Sequence, residues 1–226
     1  MVDTAMFFES SFVWREALIV AAIAAAALSY LGVWIVLKKV VYVPLALSSV
    51  SSAGVVFAFL LTAMLGNGHD EHILLDPTLF SLLFATLASL YFAMARSKSN
   101  QATVVAYLLS SAIVLILGGF IRHDLHDVTC LLFGNAVMVD SIQIVITGTG
   151  ALTTAIVHFL LYRRFLFVSL DSDTAGASGI WVNGHEVLIY LTIALMISLS
   201  TKAIGALPTF GFAIFPGMFG LTLGKS

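Results

Sequence analysis

The sequence predicts an all-α protein, a polytopic transmembrane helical bundle of about seven spans. Three observations predict it. Apolar residues make up 60% of the 226 residues and charged residues only 10%, against roughly 45–50% and about 25% in an average soluble domain. The apolar residues come in long runs without charge, and lipid is the simplest solvent for such runs. The basic residues then fall mainly on one side of the resulting threading.

Crossing about 30 Å of hydrocarbon at about 1.5 Å per residue takes about 20 residues. Residues 17–37 meet this length without a charge, as do residues 40–66, which carry Pro44 near their start, where proline is best tolerated. Residues 77–95 and 102–121 follow, and residues 141–162 form the fifth run, with Gln143 and His158 as its strongly polar members. Open backbone has no partner in hydrocarbon, so each run is predicted helical. Residues 187–201 are short for a span and 203–224 are long enough. We expect two spans joined by a tight turn at Lys202, with this lysine reaching along its stem to the interface and Glu186 at the far end of the sixth span. Residues 128–139 are apolar but too short to cross, and fit an interfacial or re-entrant element. No soluble domain is expected: residues 1–226 read as one membrane domain whose longest polar stretch is an inner loop near 165–184.

With the N-terminus outside, the inner side holds Lys38, Lys39, Arg96, Lys98, Arg163, Arg164 and Lys225, and the outer side holds Arg15, Arg122 and Lys202. That asymmetry fixes the orientation. The acids run the other way, with only Asp171, Asp173 and Glu186 inside. Trp14 and Trp34 stand 20 residues apart, roughly 30 Å of helix, and suit opposite interfaces. The formal net charge of −2 excludes a general basic surface for nucleic acid. A single cysteine, Cys130, excludes an intrachain disulfide. Asp3 and Glu9, with no early basic residue, do not resemble the start of a cleaved signal peptide.

Several constellations could carry chemistry. Two outer loops hold His69-Asp70-Glu71-His72 and His123-Asp124-Leu125-His126-Asp127. Imidazole and carboxylate together are ligands for zinc, manganese or iron, so His69, Asp70, His72, His123, His126 and Asp127 are candidate metal residues; solvated polar loops are the plainer account. The second run contains Ser48, Ser49, Ser51 and Ser52. Small hydroxylated residues let helices approach and hydrogen-bond, and Ser48, Ser49 and Ser52 could alternatively line a solute pathway. Leu132-Phe133-Gly134-Asn135 reads as a turn. On the inner side, Asp171 can cap a short helix over the next residues, and such a helix is what a soluble partner would grip. His158, four residues before Tyr162, is expected at the inner interface. Gly224-Lys225-Ser226 lacks the earlier glycine of a phosphate loop, since Phe219 stands there, and no catalytic set is placed by the sequence.

In order along the chain, Tyr30-Leu31-Gly32-Val33-Trp34 with Lys38-Lys39, the segment from Ser48 to Gly54, Leu132-Phe133-Gly134-Asn135, Asp171-Ser172-Asp173-Thr174-Ala175 through Gly179, and Lys202-Ala203-Ile204-Gly205-Ala206-Leu207 through Pro216 resemble the ABC-3 permeases of zinc, manganese and iron importers. The resemblance implies a homodimer in the bacterial inner membrane, surrounded by lipid. It implies a cytoplasmic ABC ATPase subunit docked on the segment with Asp171, Asp173, Ala175 and Gly179, and an extracytoplasmic metal-binding protein as donor. No resident cofactor is implied, only a divalent metal ion as cargo, with ATP hydrolysis left to the partner. The chain departs from the family pattern at Leu45 and Ser49, where an aspartate and a histidine are usual, at Ala53 in place of proline, and at Asn100-Gln101 in place of an acidic pair. It also stops soon after Pro216, where further spans are usual. A non-transporting structural or regulatory membrane protein derived from such a permease fits these departures as a second class. A neighbouring ATPase gene would discriminate the two.

Overall fold

Uncharged runs in hydrocarbon can satisfy their main chain only from within, and here they do so as helices. The computed structural model describes residues 11–65, 76–95, 99–120 and 141–223. In them lie α1 (Ser11–Leu37), α2 (Val43–Leu65), α3 (Pro77–Ala95), α4 (Ser99–Phe120), α5 (Ser141–Leu170), α6 (Ser172–Ala177), α7 (Val182–Ile204) and α8 (Ala206–Leu223). All but α6 are long and apolar enough to cross a membrane. The histidine-bearing stretches at 69–72 and 123–127, the segment 128–139 and Leu132-Phe133-Gly134-Asn135 lie outside the described residues.

The centre of the bundle is α7, with α2 beside it. Their most apolar windows are 67% and 61% buried, against 22–39% for the other spans. Around α7 stand α1, α2, α3, α5 and α8, while α4 packs mainly on α2. The main core joins Leu28, Leu31 and Ile35 of α1 to Ile189, Ile193 and Ile197 of α7 and Ala213 of α8. Exposed Leu and Ile on the outer faces of α3, α4 and α5 are what a helix turns to lipid.

Helices approach closely where glycine removes the side chain. A Cβ on Gly32 of α1 would lie 2.3 Å from the Ala213 carbonyl oxygen of α8, and one on Gly217 of α8 would lie 2.7 Å from the Gly32 carbonyl oxygen. The two backbones therefore touch reciprocally.

Three contacts agree with the threading from charge asymmetry. Lys38, past the end of α1, meets Glu186 of α7. Asp76, before α3, meets Lys202 near the end of α7. Ser141 at the start of α5 donates to Glu16 near the start of α1. Each contact joins residues assigned to one side.

Two boundaries differ from expectation. The fifth helix runs eight residues past 162, where Arg163 and Arg164 stand exposed while Phe165 and Val168 are buried in protein. The sixth span begins at Val182 and contains both Glu186 and Lys202, so the turn falls at Gly205. Gly205 has φ 88°, a left-handed conformation that glycine adopts without cost, whereas a lysine stem can reach an interface without ending its helix.

The Gly32 contact and an open helical glycine make a matched pair. Gly32→Ala should lower stability by about 1–3 kcal/mol through overpacking. Gly148→Ala, whose new Cβ meets nothing within 4 Å, should instead gain about 0.5–1 kcal/mol of helix stability. Thermal unfolding of both variants in one detergent checks the opposite signs.

Candidate functional site

The serines of α2 divide by what their hydroxyls do. Ser48 donates to the Leu45 carbonyl at 2.9 Å and Ser52 to the Ser48 carbonyl at 3.1 Å. Such back-bonding to the same helix is the usual outlet for a hydroxyl in an apolar setting. Ser49 is buried beside them. All three sit in a stretch of α2 enclosed inside the protomer. Ser51 does something different. Its Oγ lies 2.8 Å from Ser81 Oγ on α3, and Ser81 Oγ lies 2.6 Å from Ser198 Oγ on α7. All three are fully buried, so a chain of hydroxyls ties three helices inside the bundle. Sequence reasoning singled out the cluster on α2 but not Ser81 or Ser198, which only the relative rotation of three helices brings together.

A second polar seam runs along α5. Gln143, Thr147, Gly150, Thr154 and His158 are buried at spacings of three and four residues, which places them on one face. His158 is fully buried, in the inner half of α5. Tyr30, Trp34 and Phe165 surround its ring at centroid distances of 5.6, 5.4 and 4.9 Å. Its Nε2 lies 2.9 Å from Thr192 Oγ1. Thr192 already donates to the Ile189 carbonyl, so His158 donates from Nε2 to the threonine oxygen, which assigns the Nε2–H tautomer. The three-four spacing of polar residues was the available signal for this burial.

On the inner side, α6 is built by its ends. Asp171, at φ −147°, accepts from the amides of Asp173 and Thr174 at 3.1 and 3.0 Å and from the Thr174 hydroxyl at 2.5 Å. This is an N-cap satisfying two free amides. Those donors, the Thr174 hydroxyl first, hold the Asp171 carboxyl below the ordinary carboxylate range. Gly179, at φ 81°, closes the other end, with its own amide on Gly176 and the Ile180 amide on the Ala175 carbonyl. Ala175 is fully buried, packed with Val168 of α5 and Val182 of α7. Asp171, Asp173, Gly176, Ala177 and Gly179 are exposed. The four residues singled out in the sequence therefore divide into two ends, an anchor and an exposed acid on one small helix.

Above α6 lies a cavity of about 350 Å³, lined by Lys38, Phe92, Ser169, Asp173, Glu186 and Tyr190 among others. At its wall Lys38 Nζ and Glu186 Oε1 are 3.0 Å apart, with side chains only 8% and 12% exposed. At the other end of α7 the corresponding pair is loose: Lys202 Nζ is 3.7 Å from Asp76 Oδ1 and donates to the Thr78 hydroxyl. Partial burial acts to raise the Asp76 pKa. The Thr78 amide and hydroxyl and the Lys202 charge outweigh it, leaving the carboxyl below its ordinary range.

A bundle of membrane-crossing helices, tied inside by hydroxyls and carrying a capped, exposed helix on the basic side, defines a multi-pass membrane protein. A profile of the ABC 3 transport family matches residues 11–226, and the chain belongs to that family, the membrane permease component of ABC transporters as distinct from the ATPase. It is accordingly a multi-pass protein of the bacterial inner membrane. It is 25% identical over 225 residues to a Chlamydia muridarum protein named "Probable metal transport system membrane protein", covering 98% of this chain and 70% of that one. A Thermotoga maritima protein of the same name is 28% identical over 177 residues, covering 77% and 61%. The manganese transport system membrane protein MntC of Halalkalibacterium halodurans is 24% identical over 204 residues, covering 90% and 67%. In fold the chain is similar to a chain of PsaBC from Streptococcus pneumoniae in complex with Fab, with TM-score 0.75 and 21% identity over 94% of this chain and 74% of that one. The chain thus spans between 61% and 74% of these relatives' lengths.

Ser81→Ala should cost about 1–3 kcal/mol, because it leaves Ser51 and Ser198 buried without their shared partner. Ser52→Ala, which removes only a bond to its own helix, should cost less; chemical or thermal unfolding in detergent ranks the two. For α6 the depressed folded value of Asp171 means that the cap is fully present above the ordinary carboxylate value of about 3.9 and is lost as pH falls through the lower folded one. Hydrogen exchange at the amides of Asp173 and Thr174 should stay slow from neutrality to below that ordinary value, and Asp171→Ala should make it fast at every pH.

Proposed function

We propose that this chain is the membrane-spanning subunit of an ATP-driven importer of a divalent metal ion of the manganese, zinc and iron class. The observation that carries the reading is the family match over residues 11–226, joined to relatives named for metal transport, one of them for manganese. Two copies would enclose the path in the lipid bilayer, and an extracytoplasmic metal-binding protein would deliver the ion. Two ATPase subunits would grip α6, where the exposed Asp173 and the ends set by Asp171 and Gly179 flank the buried anchor Ala175. The chain would hydrolyse nothing itself and hold no resident cofactor, the metal being cargo.

In this reading, Ser48 and Ser52 spend their hydroxyls on their own helix, so their contribution to a pathway is small size more than ligation. His69, Asp70, His72, His123, His126 and Asp127, on the outer connections, would raise the local cation concentration at the mouth.

Disrupting the gene should lower manganese uptake at scarce metal, and restoring it should recover uptake. Uptake unchanged by disruption would reject transport and favour a regulatory or structural role. Replacing His69, His72, His123 and His126 together with alanine should weaken uptake at low manganese without changing the maximal rate. A quadruple variant with wild-type uptake at low metal would remove the outer histidines from the scheme.

A further inference from the structure

The ion pair between Lys38 and Glu186 is mostly buried, at 8% and 12% side-chain exposure, and stands at the wall of the cavity beside α6. Both partners are placed by local structure. Lys38 follows the end of α1, in a turn whose bonds run from the Lys39 amide to Val36 and from the Val40 amide to Ile35. This is a helix-ending motif that ordinarily uses glycine. Here Lys39 takes the left-handed conformation at φ 58°, a strain retained where the surroundings fix the chain. Glu186 lies four residues beyond Val182, one turn into α7.

From α6 to this pair the covalent and packed path is short. Residues 178–181 alone separate α6 from α7, and Ala175 of α6 is packed directly against Val182. A push on α6 therefore reaches the base of α7. From α7 to α1 the contacts are otherwise largely apolar side chains, which resist separation but tolerate sliding. A hydrogen-bonded charge pair fixes register, which is the best-attested use of buried ionic groups. Within α1, Gly32 lies in close backbone contact with α8, reciprocally with Gly217. Finally, Ser172 and Asp173 in the first turn of α6 face the pair across the 350 Å³ cavity. Ser169, buried and without a hydrogen-bond partner among the described residues, opens onto the same space.

We propose that Lys38 and Glu186 are positioning residues for transport, the link by which movement of α6 is passed through α7 to the α1–α8 unit. The inference rests on the reading of the chain as a permease driven by an ATPase that grips α6. It assigns the pair a role in coupling, separate from holding the fold.

The test uses the full chain with its ATPase subunit in proteoliposomes, reading manganese moved per ATP hydrolysed. Lys38→Ala and Glu186→Ala each remove the close counter-charge of a mostly buried group and can fail to fold. The informative variant is therefore the uncharged pair Lys38→Met with Glu186→Gln, together with the swapped pair Lys38→Glu with Glu186→Lys. In the uncharged pair, ATP hydrolysis should continue within about twofold of wild type while manganese moved per ATP falls about tenfold. The swapped pair should recover about half of the wild-type ratio or more. An unchanged ratio in the uncharged pair, or a lowered ratio that the swap fails to restore, would overturn the linkage while wild-type transport upholds the permease reading. A wild-type complex that hydrolyses ATP but moves no manganese, zinc or iron would sink that reading and the linkage with it.

Discussion

Hydrocarbon offers a polypeptide no hydrogen-bond partner, and the rest of this bundle answers to that constraint. The main chain is satisfied within each helix. The side-chain hydroxyls face the same demand, and they meet it by turning back on their own helix, as Ser48, Ser52 and Thr62 do, or by crossing to a neighbour, as Ser51, Ser81 and Ser198 do. Only the second solution holds helices together. It also requires close approach, which glycine supplies at Gly54: its Cβ would lie 2.7 Å from the Phe80 carbonyl oxygen, beside Ser81. Small residues and hydroxyls on α2 are two parts of one packing device.

The helix that benefits most is α7. It is enclosed for two thirds of its most apolar window and carries a charge pair near each end. The two pairs differ in kind. Lys202 and Asp76 are 32% and 49% exposed at 3.7 Å, a geometry in which screening and side-chain entropy leave little net energy. Lys38 and Glu186 are mostly buried at 3.0 Å, so losing either removes a close counter-charge from the other. One end of α7 is therefore loosely tethered and the other pinned.

Much of this was legible in the sequence because length and the absence of charge are direct physical requirements for crossing lipid. The runs at 17–37, 77–95 and 141–162 coincide with the cores of α1, α3 and α5, and the side assigned to Lys38, Glu186, Asp76 and Lys202 agrees with their pairing. Helix ends were harder. Lys202 resembled a break because a charge interrupts hydropathy, yet its flexible stem lets the helix continue to Gly205. Tyr162 and Arg163 spoke to the depth of His158 along its helix, whereas its enclosure by protein was marked by the polar spacing from Gln143 onward. The Ser81 and Ser198 partners, and the pairing of Lys38 with a residue 148 positions away, depend on rotation and depth of separate helices. No local pattern encodes those. The outer histidine clusters lie outside the described residues.

The length of α5 has a consequence of its own. From Arg163 to Leu170 the helix continues about 12 Å past Tyr162, so α6 is carried on a stalk whose height is counted in whole residues. Each residue added to or removed from that stalk would swing α6 by about 100° around the axis as well as raising or lowering it. Chimeric permeases that exchange α6 alone would therefore present the graft at the wrong azimuth unless the stalk travels with it.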